Sequence, residues 1–235
     1  MVKKNVVKKV CLFIVEGSND EVALGKPLEN LQKSHSTNNM ILIGITHGDI
    51  TSNYAVKNVK HEIANHVKKF CNDNKLTKSD ICEVVLLIDM DGTYIPDDAI
   101  LASSEHTKAF YSENSILHTN PKAIQKSHKV KKEHINTLLE MKNVWGNIPF
   151  NIYFVSCNLD HIICRNANLS NKEKNNSADD FSFTYGEDSD GFIAFFNDNE
   201  IILSTDYNES WISISEGMNS LNRYSNMNIF INRLV

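Results

Sequence analysis

Four short apolar runs, each followed by polar or acidic residues, constrain the fold of this 235-residue chain most strongly. They are residues 6–15, 40–46, 84–88 and 151–155. The first is a run of β-branched residues without helical spacing, which is typical of a buried strand. Helical patterns lie between the runs, and the clearest spans residues 56–70, with apolar residues at spacings of 3, 4, 4 and 3. This alternation predicts an α/β fold with a mainly parallel sheet and helices on both faces.

Two further helices follow from local signals. Asn19 is a candidate cap for a helix that runs to about residue 31, although Gly25 and Pro27 interrupt its pattern. Residues 129–142 predict a second helix with Ile135, Leu138 and Leu139 turned inward.

The pattern weakens after residue 166. Residues 166–180 are rich in Asn, Lys and Ser and predict a loop, and residues 211–234 predict one or two terminal helices. We therefore expect an α/β core over residues 1–165 and a C-terminal α+β elaboration over residues 166–235, packed on the core.

The cysteines and the apolar runs indicate where in the cell the protein is located. The five cysteines include no CxxC pair, so they predict reduced core thiols rather than a disulfide framework or a zinc finger. The longest apolar run near the start, residues 10–15, is too short for a membrane span or a signal sequence. These features predict a cytoplasmic protein with no membrane partner.

The net charge of −5 is unevenly distributed. Residues 179–209 carry nine acidic side chains and no Lys or Arg, so the rest of the chain is net positive. Lysines cluster between Lys122 and Lys132, where they could contact phosphate groups or form a solvated helix face.

Acidic residues follow three of the predicted strands: Glu16, Asp49, and Asp89 with Asp91. The carboxyl ends of parallel strands meet at one edge of a sheet, where sites form. Carboxylates brought together raise one another's pKa, and a divalent cation relieves this repulsion. Such a group suits metal-assisted attack on a phosphodiester.

Two motifs resemble the TOPRIM (topoisomerase–primase) domain family: Glu-Gly-x-x-Asp from Glu16 to Asp20, and Asp-x-Asp-Gly beginning at Asp89. The resemblance implies a compact Rossmann-like sheet in which Glu16, Asp89 and Asp91 hold Mg²⁺ or Mn²⁺. Asp20 matches the family's acidic residue four places after the glutamate. The resemblance covers residues 6–165 by architecture but only about ten residues by motif.

The family's nucleases also place an acidic residue after a later strand, where it can bind a second metal. Asp160 is the candidate here, with Lys172 or Lys174 to stabilise phosphate charge. An equal alternative is that Asn158 caps a helix with Asp160 in its first turn.

The resemblance implies a metal-dependent nuclease acting on DNA or RNA, with phage defence or a toxin role, and a partner subunit or homo-oligomer, by analogy only. The expected catalytic residues are Glu16, Asp20, Asp89, Asp91 and Asp160. The expected contacts to backbone phosphates are Lys126, Lys129, Lys132 and Lys172.

Two alternatives remain open. The segment from Asp89 to Thr93 also resembles the first motif of haloacid-dehalogenase-like phosphatases, which implies Asp89 as nucleophile and Asp91 as general acid. Ser156, Lys172 or Lys174, and Asp198 would complete that site. Its position is unusual, because this motif normally opens the catalytic domain and about eighty residues precede it here. The other alternative is a non-catalytic interaction module that binds through its acidic C-terminal part.

Overall fold

The computed structural model describes residues 9–35, 41–48, 50–51 and 58–235. In chain order the elements are β1 (Lys9–Val15), α1 (Ser18–His35), β2 (Ile41–His47), α2 (Val59–Asp73), β3 (Ile81–Asp89), β4 (Ile100–Ala102), β5 (Phe110–Tyr111), β6 (Ile116–His118), α3 (Pro121–Leu139), β7 (Asn143–Val144), β8 (Ile148–Val155), α4 (Leu159–Cys164), α5 (Asn171–Tyr185), α6 (Ser189–Phe196), α7 (Tyr207–Ile214) and α8 (Met227–Leu234).

A five-stranded mixed sheet forms the centre, in the order β2-β1-β3-β8-β7. The first four strands are parallel, and β7 pairs antiparallel with β8 at the edge. A second sheet of three short strands, in the order β4-β6-β5, lies in the segment between β3 and α3. The chain is therefore α/β with a mostly parallel main sheet, as predicted.

The main sheet is buried on both faces because successive side chains of its strands point in opposite directions. In β1, Leu12 and Ile14 join a core with α2, α3 and α7. Cys11 and Phe13 join a second core with α1, α5, α6 and α8. The prediction of helices on both faces is confirmed.

The C-terminal third is attached to the carboxyl end of β8 through its backbone. Ser156 N donates to Tyr224 O at 2.6 Å, and Cys157 N donates to Ser220 O at 3.0 Å. The same Ser220 carbonyl accepts from Gly92 N at 3.0 Å, in the turn after β3. The Ser220 carbonyl thus binds the backbone that follows both β3 and β8.

Several local predictions are wrong. Asn19 is not a cap, because α1 begins one residue earlier, at Ser18, and Asp20 accepts the hydrogen bond from Gly17 N at 2.9 Å. Residues 171–180 are helical, because Ser170 and Glu173 form a capping box at the start of α5. Leu139 is 37% exposed and does not point inward.

All five cysteines are free thiols, and Cys11, Cys71 and Cys157 are buried as expected, whereas Cys164 is exposed. No helix in the described part of the chain has both the length and the apolar character needed to cross a bilayer.

Candidate functional site

The carboxylates predicted to form the site lie along one edge of the main sheet. Glu16 follows the last residue of β1, and Asp89 is the last residue of β3. Because β1, β3 and β8 are parallel, their carboxyl ends lie side by side. Asp160, in the first turn of α4 after β8, reaches the same edge. Asp49 lies outside the described residues.

The side chain that joins this cluster is Lys131, which projects from α3 and is only 1% exposed. Its ammonium lies 2.6 Å from Asp91 Oδ2 and 3.5 Å from Glu16 Oε2. Burial lowers the pKa of Lys131, but the carboxylates of Asp91 and Glu16 more than compensate, so the pKa lies above its usual value. Glu16 also accepts a hydrogen bond from the Thr51 hydroxyl. Residues more than seventy positions apart therefore share one buried cation.

Asp91 is held from several sides. Tyr111 donates its phenol hydrogen to Asp91 Oδ1 at 3.1 Å, and burial followed by the Asp91 charge raises the pKa of Tyr111 well above normal, so the phenol remains a donor. His128 Nε2 donates to the Asp91 carbonyl at 3.1 Å. The backbone of Asp91 has a φ of 50°, in the left-handed region, and its N–H donates to Cys157 O at 2.7 Å. This strained conformation is maintained by its surroundings, as is common at functional sites.

Gly92 continues the turn with a φ of 69°, where a side chain would be strained. A Cβ at this position would lie 2.8 Å from Ile116 Cδ1, so the turn packs directly on the small second sheet. The Asp-x-Asp-Gly motif therefore requires its glycine both for backbone geometry and for space.

Asp89 lies between the other acidic groups. Burial raises its pKa well above the usual value, and the charges of Asp20, Glu16 and Asp91 raise it further. The Lys131 ammonium opposes this shift but does not cancel it. Burial is thus the first cause of the raised pKa of Asp89, and the neighbouring carboxylates are the second.

A cavity of about 310 Å³ opens beside Asp89. Its walls include Glu16, Asp20, Asp160 and Lys174. Lys174, on α5, forms an ion pair with Asp160 at 2.7 Å. Burial raises the pKa of Asp20 to about 6, although its hydrogen bond from Gly17 N acts in the opposite direction. The cavity is therefore polar and acidic, with one cation at its wall.

A second cavity, of about 540 Å³, lies on the other side of Asp89. Asp89 and Asp91 line it together with Lys174 and with residues 105–111, which lead into and form β5. Asp89, Asn158 and Lys174 belong to both cavities, so the two spaces adjoin. A chain-like ligand could therefore pass by Asp89.

The donor set can be compared with the needs of a divalent ion. Among the described residues, no group of three or more His, Cys, Asp or Glu side chains is arranged to hold a metal by itself. Mg²⁺ usually needs only one or two carboxylates, with water and substrate phosphates completing its shell. The carboxylates outnumber the ammonium groups of Lys131 and Lys174, and burial, followed by the neighbouring carboxylates, raises the pKa of Asp89. The residues present fit an ion bound in this substrate-assisted way.

The predicted phosphate-binding lysines lie elsewhere. Lys126 and Lys129 are exposed on α3, and Lys132 lies over the Tyr94 ring at 5.5 Å. Lys172 is exposed at the start of α5 and lines neither cavity. The lysines that reach the carboxylates are Lys131 and Lys174.

The burial of Lys131 could have been predicted from the helical spacing of α3. The buried residues of α3 recur at spacings of 3, 4 and 3: His128, Lys131, Ile135 and Leu138. Lys131 thus lies on the inward stripe of an amphipathic helix, where a lysine must find a buried partner.

The two alternatives for Asp160 are both compatible with its position. Asn158 caps α4 by accepting a hydrogen bond from His161 N at 2.9 Å, and Asp160 lies in the first turn. Its carboxylate nevertheless faces the 310 Å³ cavity.

The residues needed for the phosphatase alternative are only partly brought together. Ser156 is fully buried, and its hydroxyl donates to Asn219 O at 2.9 Å, so it is engaged in structure. Asp198 is exposed and lines neither cavity beside Asp89. These positions do not favour a phosphatase site.

The chain matches no protein-family model, no curated protein and no solved structure. The resemblance to the TOPRIM family therefore stays a prediction from the two motifs.

Proposed function

We propose that this chain is a divalent-metal-dependent nuclease with a Rossmann-like core, which hydrolyses phosphodiester bonds of DNA or RNA. The observation that carries the proposal is the meeting of Glu16, Asp20 and Asp160 with Asp89 at one cavity, where the carboxylates outnumber the ammonium groups of Lys131 and Lys174. A site of this charge attracts divalent cations.

The carboxylates have distinct roles in this proposal. Asp89, with Glu16, would hold Mg²⁺ or Mn²⁺, which supplies activation of water and stabilisation of the developing charge. Asp20, with a pKa of about 6, is largely ionised at neutral pH and suited to accept a proton from water. Asp91 is kept in place by Lys131 and Tyr111.

The lysines near the carboxylates have two different roles in this proposal. Lys174 lines both cavities and lies beside Asp160, so its ammonium can contact a phosphate that approaches Asp89. Lys131 is buried and holds Glu16 and Asp91, which makes it a positioning residue. The surface lysines Lys126 and Lys129 remain candidates for contacts with backbone farther from the cleavage point.

The test is cleavage of labelled single-stranded and duplex DNA and RNA with Mg²⁺, Mn²⁺ or a chelator. Wild-type protein should cut at least one substrate only when the metal is present. Asp89→Asn should lose more than about 100-fold of the rate. Asp198→Asn is the matched control, since Asp198 is exposed and lines neither cavity, and it should retain full activity.

Small phosphate monoesters provide the contrasting substrate. Turnover of such a monoester that is unaffected by Glu16→Ala would favour the phosphatase alternative. Failure to cut any substrate, without a metal-induced shift in Tm, would favour an interaction module.

A further inference from the structure

The 540 Å³ cavity that Asp89 lines is also lined by an aromatic stack. The rings of His106 and Phe110 lie 4.4 Å apart, centroid to centroid, with an angle of 16° between their planes. Phe110 is 36% exposed, although it lies in a strand of the small second sheet. An exposed aromatic ring in a cavity that also contains Asp89 has no evident role in the core.

The stack is built on a rigid segment. Phe110 pairs with Leu117 of β6, and its neighbour Tyr111 pairs with Ile116. Tyr111 N donates to Asn168 Oδ1 at 2.8 Å, and Asn168 Nδ2 donates to Tyr111 O at 2.7 Å. The Tyr111 phenol is bound to Asp91. The backbone that carries Phe110 is therefore joined to the turn containing Asp91 through its neighbour Tyr111.

Two lysines line the same cavity, together with the carboxylates of Asp89, Asp91 and Glu105. Lys108 lies next to the stack, and Lys174 lies near Asp89. These two cations, at different places along the cavity, could each meet a phosphate. The volume falls within the range of pockets that hold small ligands of nucleotide size.

We propose that the His106–Phe110 stack binds an unpaired base of a single-stranded nucleic acid, next to the phosphodiester at Asp89. Every base presents a π-face to an aromatic ring, so the platform requires no particular sequence. Bases in a duplex are already stacked on one another, so the platform selects single strands or unpaired ends. This inference rests on the proposed function, because it names the substrate class of the same site.

The test is nucleic-acid binding by the 235-residue chain in the presence of Ca²⁺, measured by fluorescence anisotropy. The probes are single-stranded DNA and RNA of about 12 nucleotides, the corresponding duplexes, and an abasic strand with the same number of phosphates. Wild-type protein should bind a base-bearing strand about tenfold more tightly than the abasic strand.

Phe110→Ala should abolish this difference while leaving binding to the abasic strand unchanged. Phe110→Leu keeps an apolar side chain but removes the π-face, and should have the same effect if the fold is intact. Phe183→Ala is the matched control, because Phe183 is 86% exposed on α5 and lines neither cavity, and it should bind as wild type does.

Equal affinity for base-bearing and abasic strands, tighter binding to duplexes, or an unchanged preference in Phe110→Leu would each overturn the inference. Cleavage assays separate it from the proposed function. Base-dependent binding without cleavage in Mg²⁺ or Mn²⁺ supports the platform and refutes the nuclease. Cleavage combined with Phe110-independent binding refutes the platform alone.

Discussion

Replacing Lys131 with methionine tests whether the buried ammonium stabilises the acidic edge of the sheet. Methionine has a similar length and a good helix propensity, so Lys131→Met removes the charge with little change in α3. Glu16 and Asp91 then face each other and Asp89 without their shared cation. Removing one partner of a buried ion pair typically costs about 3–5 kcal/mol.

In a domain of this size that loss corresponds to a fall in Tm of about 10 °C. Tm would be measured by calorimetry or circular dichroism in a chelator at neutral pH. The control is Lys129→Met on the exposed side of the same helix, which should change stability by less than about 0.5 kcal/mol.

A second substitution and added Mn²⁺ test whether the lost charge causes the fall in stability of Lys131→Met. Asp91→Asn introduced into Lys131→Met should restore part of the stability, because it removes one of the carboxylates left without a cation. Mn²⁺ should raise the Tm of Lys131→Met by more than it raises that of wild type, because the vacated position then favours an external cation. A Lys131→Met protein as stable as wild type in a chelator would refute the reasoning.

Three other predictions concern the turns and caps around the site. Burial raises the pKa of Asp20 from 3.8 to about 6, so the folded state binds that proton more tightly than the unfolded state does. The stability of the metal-free protein should therefore fall as pH rises through 6. Thermal unfolding from pH 4 to 8 should show a flatter dependence of Tm on pH for Asp20→Asn than for wild type. Gly92→Ala should cost about 2–3 kcal/mol in chemical unfolding, since it adds a clash with Ile116 to backbone strain. Gly217→Ala has a similar backbone conformation but no atom within 4 Å of the added carbon, and should cost only about 1 kcal/mol. Ser170→Ala should cost about 1 kcal/mol by removing the cap of α5, and equal stability to wild type would contradict that role.

The main sheet could be predicted because its strands are continuous apolar runs buried on both faces. The same reasoning placed Glu16 and Asp91 at one edge, since the ends of parallel strands coincide. The structure brings both side chains to Lys131, and their role in holding a metal stays a prediction.

The burial of Lys131 and the existence of α5 were harder to predict from the sequence. A lysine within a basic stretch is ordinarily assigned to the solvent face, yet the helical spacing of His128, Lys131 and Ile135 places it inside. The helix α5 buries only Ala178 and Phe181, so its sequence lacks an apolar stripe, and its capping box is the main local signal.

No pattern in the sequence predicted the His106–Phe110 stack in the 540 Å³ cavity. The strands β4, β5 and β6 are two or three residues long, too short for a period to be recognised. Their arrangement depends on contacts such as that between Gly92 and Ile116, which join distant parts of the chain.

The dependence of two strand ends on the Ser220 carbonyl has a consequence for synthesis of the protein. A nascent chain can form β1, β3 and β8 before residue 220 has left the ribosome, but the turn containing Asp91 lacks its acceptor at that stage. We expect the acidic edge to reach its final geometry only after residue 220 has left the ribosome. If the chain cleaves nucleic acid as proposed, its activity would be delayed until that point of synthesis.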